Sequence, residues 1–441
     1  MRKRELWVRK SQKRKRRKDD RGIVDLMRIM HHFFRNLPEW VGEMEDSRHL
    51  SYVTYTQNDL IYMGILKNIC SLKTMREMED MFNEECCIDT LRILSGNRNL
   101  REMPHSDTLN YYLKKLSPEC MSELRRKMVK SLIRMKTFSR GKLLGQYWRV
   151  IIDGTGLFYF KERHCENCLV QVVTGKDGKK TKAYFHKVLE AKLVLSEKIV
   201  ISLGTEFIEN EKEDVTKQDC EINAAKRLLK RLKKEYPRLP VCLQGDALYE
   251  AETIMALCRE NRWHYIFTQK ESRQKLLGES FDWVKGGDGA EERAGIGKEK
   301  GTGRYVNHLE ETTGKEEITN VFEYEYEEKQ KNRRSKRAVF QWVTDLDLIQ
   351  KNLEEMVEAA RGRWKIENEG FNNQKNGIYD IEHLNSRNSN AMKNHYLLTQ
   401  IADIIMQLYL AWNPLVREIG QSIKKYILKV IGKFSRTTYN K

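Results

Sequence analysis

Hydrophobic positions along the chain change period near residue 147. From Gly22 to Met135 apolar residues recur at helical spacing. Val24–Phe34 reads as an amphipathic helix, and Ser51–Ile69 with Thr74–Phe82 as further short helices. Pro104–Lys115 (PHSDTLNYYLKK) opens like a helix capped by Ser106 or Asp107. Then strand-like runs take over. Tyr147–Phe160 (YWRVIIDGTGLFYF) is β-rich with Asp153 set in its middle, and Leu189–Leu195 and Ile199–Phe207 follow. Lys217–Tyr236 is helical, Leu239–Asp246 (LPVCLQGD) is a short apolar strand, Glu250–Asn261 a helix and Trp263–Thr268 a strand. Three strands, helix, strand, helix and strand predict an α/β fold with a mixed sheet flanked by helices.

Glu271–Arg337 interrupts this layout with a glycine-punctuated start and strand patterns at Arg304–His308 and Ile318–Tyr326. The alternation in Val321–Glu327 (VFEYEYE) is that of a half-exposed strand, so the stretch reads as a β-rich insertion. Ala338–Thr344 returns to a buried strand and feeds a helix from Ile349. Along it Ile349, Leu353, Met356, Ala360, Trp364 and Phe371 keep to one stripe, and Glu367 falls inside that stripe. A carboxylate there costs several kcal/mol unless it is paired, protonated or metal-bound. Arg363, four residues earlier, offers an intrahelical ion pair as the plain alternative. These patterns divide the chain into a basic arm (1–22), a helical domain (23–140), an α/β domain (141–412) interrupted by the insertion (271–337), and a basic amphipathic tail (413–441).

Charge adds a partner to this picture. The net charge is +18 with a pI near 9.3, and residues 1–22 hold 12 Lys/Arg against Glu5, Asp19 and Asp20. Such a balance suits a polyanion, most simply nucleic acid, with the arm a phosphate-attracting or merely solubilising element. The helical domain is either a DNA-docking module or a packing domain with a solvated basic face. Met1–Asp20 has no apolar stretch of a secretory leader, and Tyr396–Trp412 is broken by Asp403 and Gln407, so it reads as a buried helix rather than a membrane span. Nine cysteines, an odd number, fit reduced thiols in a cytoplasm.

Three acids stand out against their surroundings. Asp153 sits mid-strand, Asp246 at the end of a later strand, and Glu367 on a helix stripe. Singly, each has an ordinary reading as turn, helix cap or ion pair. Together, three hard oxygen ligands suit Mg²⁺ or Mn²⁺, and two such ions about 4 Å apart drive in-line attack on a phosphodiester. A second cluster is Cys165-x-x-Cys168 with His186. It could hold a structural Zn²⁺ that pins a hairpin between the first strands, but only one Cys-x-x-Cys is present, and a loop of reduced thiols is the plainer reading. Trp283 and Trp342, in or beside the insertion, could stack on an unpaired base or simply pack.

The motifs Ile152-Asp153-Gly154-Thr155, Gly245-Asp246-Ala247 and Arg363-Trp364-Lys365-Ile366-Glu367-Asn368, with the insertion before the last, resemble a DDE transposase of the IS4-like insertion-sequence group. The resemblance spans roughly Tyr147–Trp412 and implies a ribonuclease-H-like core. It also implies binding of terminal inverted repeats, metal-dependent cleavage of double-stranded DNA ends and strand transfer into a target. Asp153, Asp246 and Glu367 would be the metal ligands, and Arg363 and Lys375 would contact DNA phosphates. A homodimer synapsed on DNA, a bacterial cytoplasmic location and the absence of any membrane partner are implied as well. Two positions depart from the group's Tyr-Arg-Glu-Lys signature: the tyrosine falls on Ala360, and the lysine falls on Gln374 with Lys375 one step along. The alternatives are a metal-dependent nuclease without strand transfer and a non-catalytic DNA-binding descendant.

Overall fold

Three apolar runs, WRVII, VCLQG and HYIF, become neighbouring parallel strands because only a sheet covered on both faces can bury such continuous hydrophobic sequence. The computed structural model describes residues 22–174, 178–213, 215–270, 275–287, 289–310, 318–328 and 336–412. The basic arm up to residue 21 and the tail 413–441 lie outside the described residues.

Helices α1 (Gly22–Phe33), α2 (Leu37–Gly42), α3 (Gln57–Ile69), α4 (Met75–Phe82), α5 (Glu85–Ser95), α6 (Ser106–Lys115) and α7 (Pro118–Ile133) come first. Strands β1 (Trp148–Phe160), β2 (Leu169–Thr174), β3 (Lys180–Ser196) and β4 (Ile199–Ile208) follow. Next come α8 (Glu221–Glu235), β5 (Val241–Gly245), α9 (Glu252–Asn261), β6 (His264–Thr268) and α10 (Lys275–Gly286). Strands β7 (Glu291–Ile296), β8 (Gly301–Glu310), β9 (Ile318–Glu328) and β10 (Lys336–Thr344) precede α11 (Leu353–Arg361), a 3₁₀ turn (Gly362–Trp364), a π-helix (Ile366–Gly377) and α12 (Ser389–Trp412). No helix among the described residues is long and apolar enough to cross a membrane.

Two compact units share the chain. Of the described residues, the sheet unit takes those within 136–155 and 187–369, and the helical unit those within 22–135, 156–186 and 370–412.

In the sheet unit, β1, β5 and β6 run parallel, β3 lies beside β1, and β4 folds back antiparallel on β3. This is the mixed sheet flanked by helices that the sequence predicts. Beyond β6 the same sheet continues antiparallel through β10, and the insertion strands extend it further in the order β9, β8, β7. Its glycine-rich start hides α10, whose helical signal is the buried pair Leu277 and Phe281 at a spacing of four. On one face Leu353, Met356, Val357 and Ala360 of α11 pack against Ile266, Tyr305, Phe322 and Trp342. Elsewhere in the unit α8 lies so close to β4 that a Cβ on Gly204 would meet Leu232 at 2.8 Å.

The helical unit is built around α12, which packs on α1, α3, α6 and α7. Gly64 of α3 has no side chain because Leu398 of α12 would lie 2.4 Å from its Cβ. Asn394 of α12 donates to the carbonyls of Leu113 (2.9 Å) and Leu116 (2.8 Å), closing the end of α6. Thr56 and Thr74 form capping boxes with Asp59 and Glu77. The cap of α6 is His105 rather than Ser106 or Asp107: its Nδ1 accepts from the Asp107 amide at 3.2 Å. The strand β2 and the start of β3, also here, form a largely exposed hairpin: β2 (LVQVVT) leaves Val172 and Val173 exposed, and β3 opens on Lys180-Thr181-Lys182.

Candidate active site

The register of β1 on β5 sets the site. Ile151 pairs with Gln244 in parallel, and continuing by two residues brings Asp153 level with Asp246. Strand β5 stops at Gly245, so Asp246 lies just beyond its carboxyl end, where open α/β sheets carry their ligand-handling residues. The Asp246 carboxylate accepts from the Leu248 amide at 2.8 Å, which fixes the turn. Asp153 accepts from the Gly154 amide at 2.8 Å.

Glu367 reaches this region by a route that differs from the single-helix expectation. Gln244, buried in β5, donates to the Ala359 carbonyl at 2.9 Å and ties the end of α11 to the sheet. The chain then tightens into the 3₁₀ turn and widens into the π-helix, so the apolar stripe breaks after Ala360. Trp364 is 50% exposed, and the Glu367 side chain is 38% exposed rather than buried. Phe371 is buried as the stripe anticipates. Departures of this kind from α-geometry concentrate at functional sites.

Arg363 joins the two ends. Its Nη1 lies 3.0 Å from Glu367 Oε1 and 4.0 Å from Asp153 Oδ2, and its guanidinium stacks 5.0 Å from the Trp364 ring. The intrahelical pair therefore exists, and it borders Asp153 as well. Among the described residues, Asp153, Asp246 and Glu367 do not close to within 4.8 Å of one another.

Glu221 is a fourth acid that sequence reasoning passes over. It opens α8, accepts from the Tyr249 hydroxyl at 2.9 Å and is held by Lys187. A Cβ on Gly154 would sit 2.5 Å from its carboxylate, so the glycine after Asp153 makes room for it. That glycine is the available signal. Burial is the largest influence on Asp153 and pushes its carboxyl up to about 7; the Gly154 amide and Arg363 oppose it, and Asp246 and Glu221 add to it. Burial and the same acids push the Tyr249 hydroxyl well above its usual range. A carboxyl perturbed this far by burial and like charge marks a functional site more often than a structural one.

Of the other expected residues, Lys375 belongs to the helical unit and pairs with Glu382 at 2.7 Å. Gln374, at the position of the signature's lysine, is fully buried and bonded to Gln400 and Asp403 at 3.1 and 2.9 Å. Trp342 is buried, while Trp283 is 81% exposed. Cys165, Cys168 and His186 converge: the sulfurs lie 3.6 Å apart and each is 3.4 Å from His186 Nε2.

A family model described as "Transposase DDE domain" matches residues 144–402. No curated protein matches the chain. Among solved structures, the cryo-EM structure of a piggyBac transposase synaptic complex with hairpin DNA is similar at a TM-score of 0.42 and 12% identity, over 95% of this chain and 82% of that one.

Proposed function

Because the chain belongs to the transposase DDE-domain family, we propose that it is a DNA transposase of the IS4-like group that binds the terminal inverted repeats of its element, cleaves the ends and joins them to a target. The observation that carries this reading is the meeting of Asp153 and Asp246 at one level of adjacent parallel strands, with Glu367 linked to Asp153 through Arg363.

The acids fit divalent cations. Asp153 resists ionising because it is buried and because Asp246 and Glu221 crowd it with like charge, a field that a hard cation would neutralise. Asp153, Asp246 and Glu367 would hold two Mg²⁺ or Mn²⁺ ions. When bound, the ions supply Lewis-acid activation of a water or 3′-hydroxyl and stabilise the leaving 3′-oxygen. Tyr249 and Lys187 keep Glu221 in place beside Gly154, so the negative field is fixed before any ligand arrives. Arg363 presents a planar fork suited to a phosphate oxygen and balances charge between Glu367 and Asp153. Lys375 and the basic arm would add sequence-independent affinity for the DNA backbone, and joining two ends implies a homodimer on DNA.

The test is a strand-transfer assay with precleaved ends bearing the element's own inverted repeats, run with and without Mg²⁺. Joined products that depend on both the repeats and the metal are expected. Nicking without joining would replace the reading with a metal-dependent nuclease, and tight binding without either reaction would replace it with a non-catalytic DNA-binding protein.

A further inference from the structure

The Cys165–Cys168–His186 cluster lies outside the acidic site, in the helical unit, and transposition chemistry makes no use of it. We infer that Cys165, Cys168 and His186 hold a structural zinc ion.

The topology brings the donors together. Leu169 of β2 pairs with Phe185 of β3, so the antiparallel register carries Cys168, one residue before, to the level of His186. Cys165, three residues earlier, turns its sulfur onto the same point: its loop closes through a Cys168 N–H to Cys165 carbonyl bond at 3.4 Å.

The distances match a tetrahedron around an ion. With Zn–S near 2.3 Å and Zn–N near 2.05 Å, tetrahedral edges are about 3.8 Å between sulfurs and about 3.5 Å from sulfur to nitrogen. The observed edges are 3.6 Å between the sulfurs and 3.4 Å from each sulfur to Nε2. A Cys165–Cys168 disulfide needs about 2.05 Å between sulfurs and is not what this geometry holds.

His164 supplies an independent pointer. Its Nε2 is buried with no hydrogen-bond partner, its ring lies 6.1 Å from that of His186, and the ring hydrogen-bonds the backbone of Arg387. Phe158 and Phe160 flank the histidines, Phe158 lying 6.4 Å from the His186 ring and Phe160 stacking on His164 at 4.5 Å, which shields the site from water.

The local sequence needs such an ion. Lys161–Cys168 (KERHCENC) contains no aliphatic side chain and no Phe, Tyr or Trp, so the loop itself brings little apolar surface to bury. Zinc would replace the missing core and fasten the loop after β1 to β3. Soft thiolates with imidazole in a tetrahedron select zinc over the hard ions of the acidic site. Binding is balanced by loss of the two thiol protons, with no change of oxidation state.

Full-length chain purified under reducing conditions without chelator is expected to carry one zinc per chain by elemental mass spectrometry. Stripped chain given Co²⁺ is expected to show thiolate-to-cobalt charge-transfer absorption. Cys168→Ser should abolish both signals, and Cys220→Ser should leave both intact. Wild-type chain that holds no zinc and gives no cobalt spectrum, or that contains a Cys165–Cys168 disulfide, overturns the site even if Cys168→Ser fails to fold. None of these readouts uses DNA or activity, so they stand or fall apart from the transposase reading.

Discussion

Asp246→Asn is expected to lower metal-dependent cleavage of DNA ends on the order of 10³-fold, while gel-shift affinity for the same DNA changes little. The substitution keeps shape and removes charge. Asn still offers an oxygen to the Leu248 amide, so the turn after β5 should survive. What is lost is one anionic donor to a cation whose stabilisation of the reacting phosphate amounts to several kcal/mol, and each 1.36 kcal/mol is about tenfold in rate. The acids sit in a protein of net charge +18, so removing one negative charge should not weaken attraction to a polyanion. Cleavage of a labelled end fragment across a Mg²⁺ titration checks it. Cleavage retained within tenfold would remove Asp246 from the assignment and leave the family membership untouched.

Much of this site was legible because the sheet is dictated by short-range pattern. WRVII, VCLQG and HYIF can only be buried strands, and an Asp interrupting or ending such a run advertises itself. Arg363 and Glu367 were legible too, since a spacing of four pairs side chains on an α-helix and the pair persists here. The conformation itself was not. Nothing in RGRWKIENEGFNNQK signals a shift from α to 3₁₀ to π, because that shift comes from tertiary anchors such as Gln244 on the Ala359 carbonyl and Lys365 on Glu197. So Trp364, which a regular helix would turn inward, stands half-exposed, and Gln374, at the place of a phosphate-contacting lysine, is a buried hydrogen-bonding residue. Glu221 was invisible for another reason: an acid in the first turn of a helix is ordinary by propensity, and only the packing of α8 brings it beside Gly154. Cys165, Cys168 and His186 had the right residue types, but His186 comes eighteen residues after Cys168, and the hairpin that closes the gap is largely exposed, so burial gives no pattern to predict its register.

Asp153→Asn is expected to stabilise the metal-free chain at pH 8 and to lose that advantage as the pH falls. The folded-state carboxyl titrates at about 7, against an ordinary value of 3.8. Between those values the folded chain holds a proton that the unfolded chain has released, so stability declines as pH rises through the window and stays reduced above it. A displacement of that size corresponds to roughly 4 kcal/mol at most, and partial solvent access trims this to a few kcal/mol. Asparagine carries no charge to desolvate and keeps the acceptor for the Gly154 amide, so it escapes this penalty. In chelator at pH 8 the variant should melt several degrees above wild type, and at pH 4 the two should converge because wild-type Asp153 is then neutral. Mg²⁺ should reverse the order at pH 8, since an ion that binds the folded site stabilises only the chain that can hold it. Thermal denaturation of both chains at the two pH values, with chelator and with Mg²⁺, reads all of this directly. A variant that melts below wild type in chelator at pH 8 would show that Asp153 is an ordinary satisfied carboxylate, and with it would go the reason for placing a cation there.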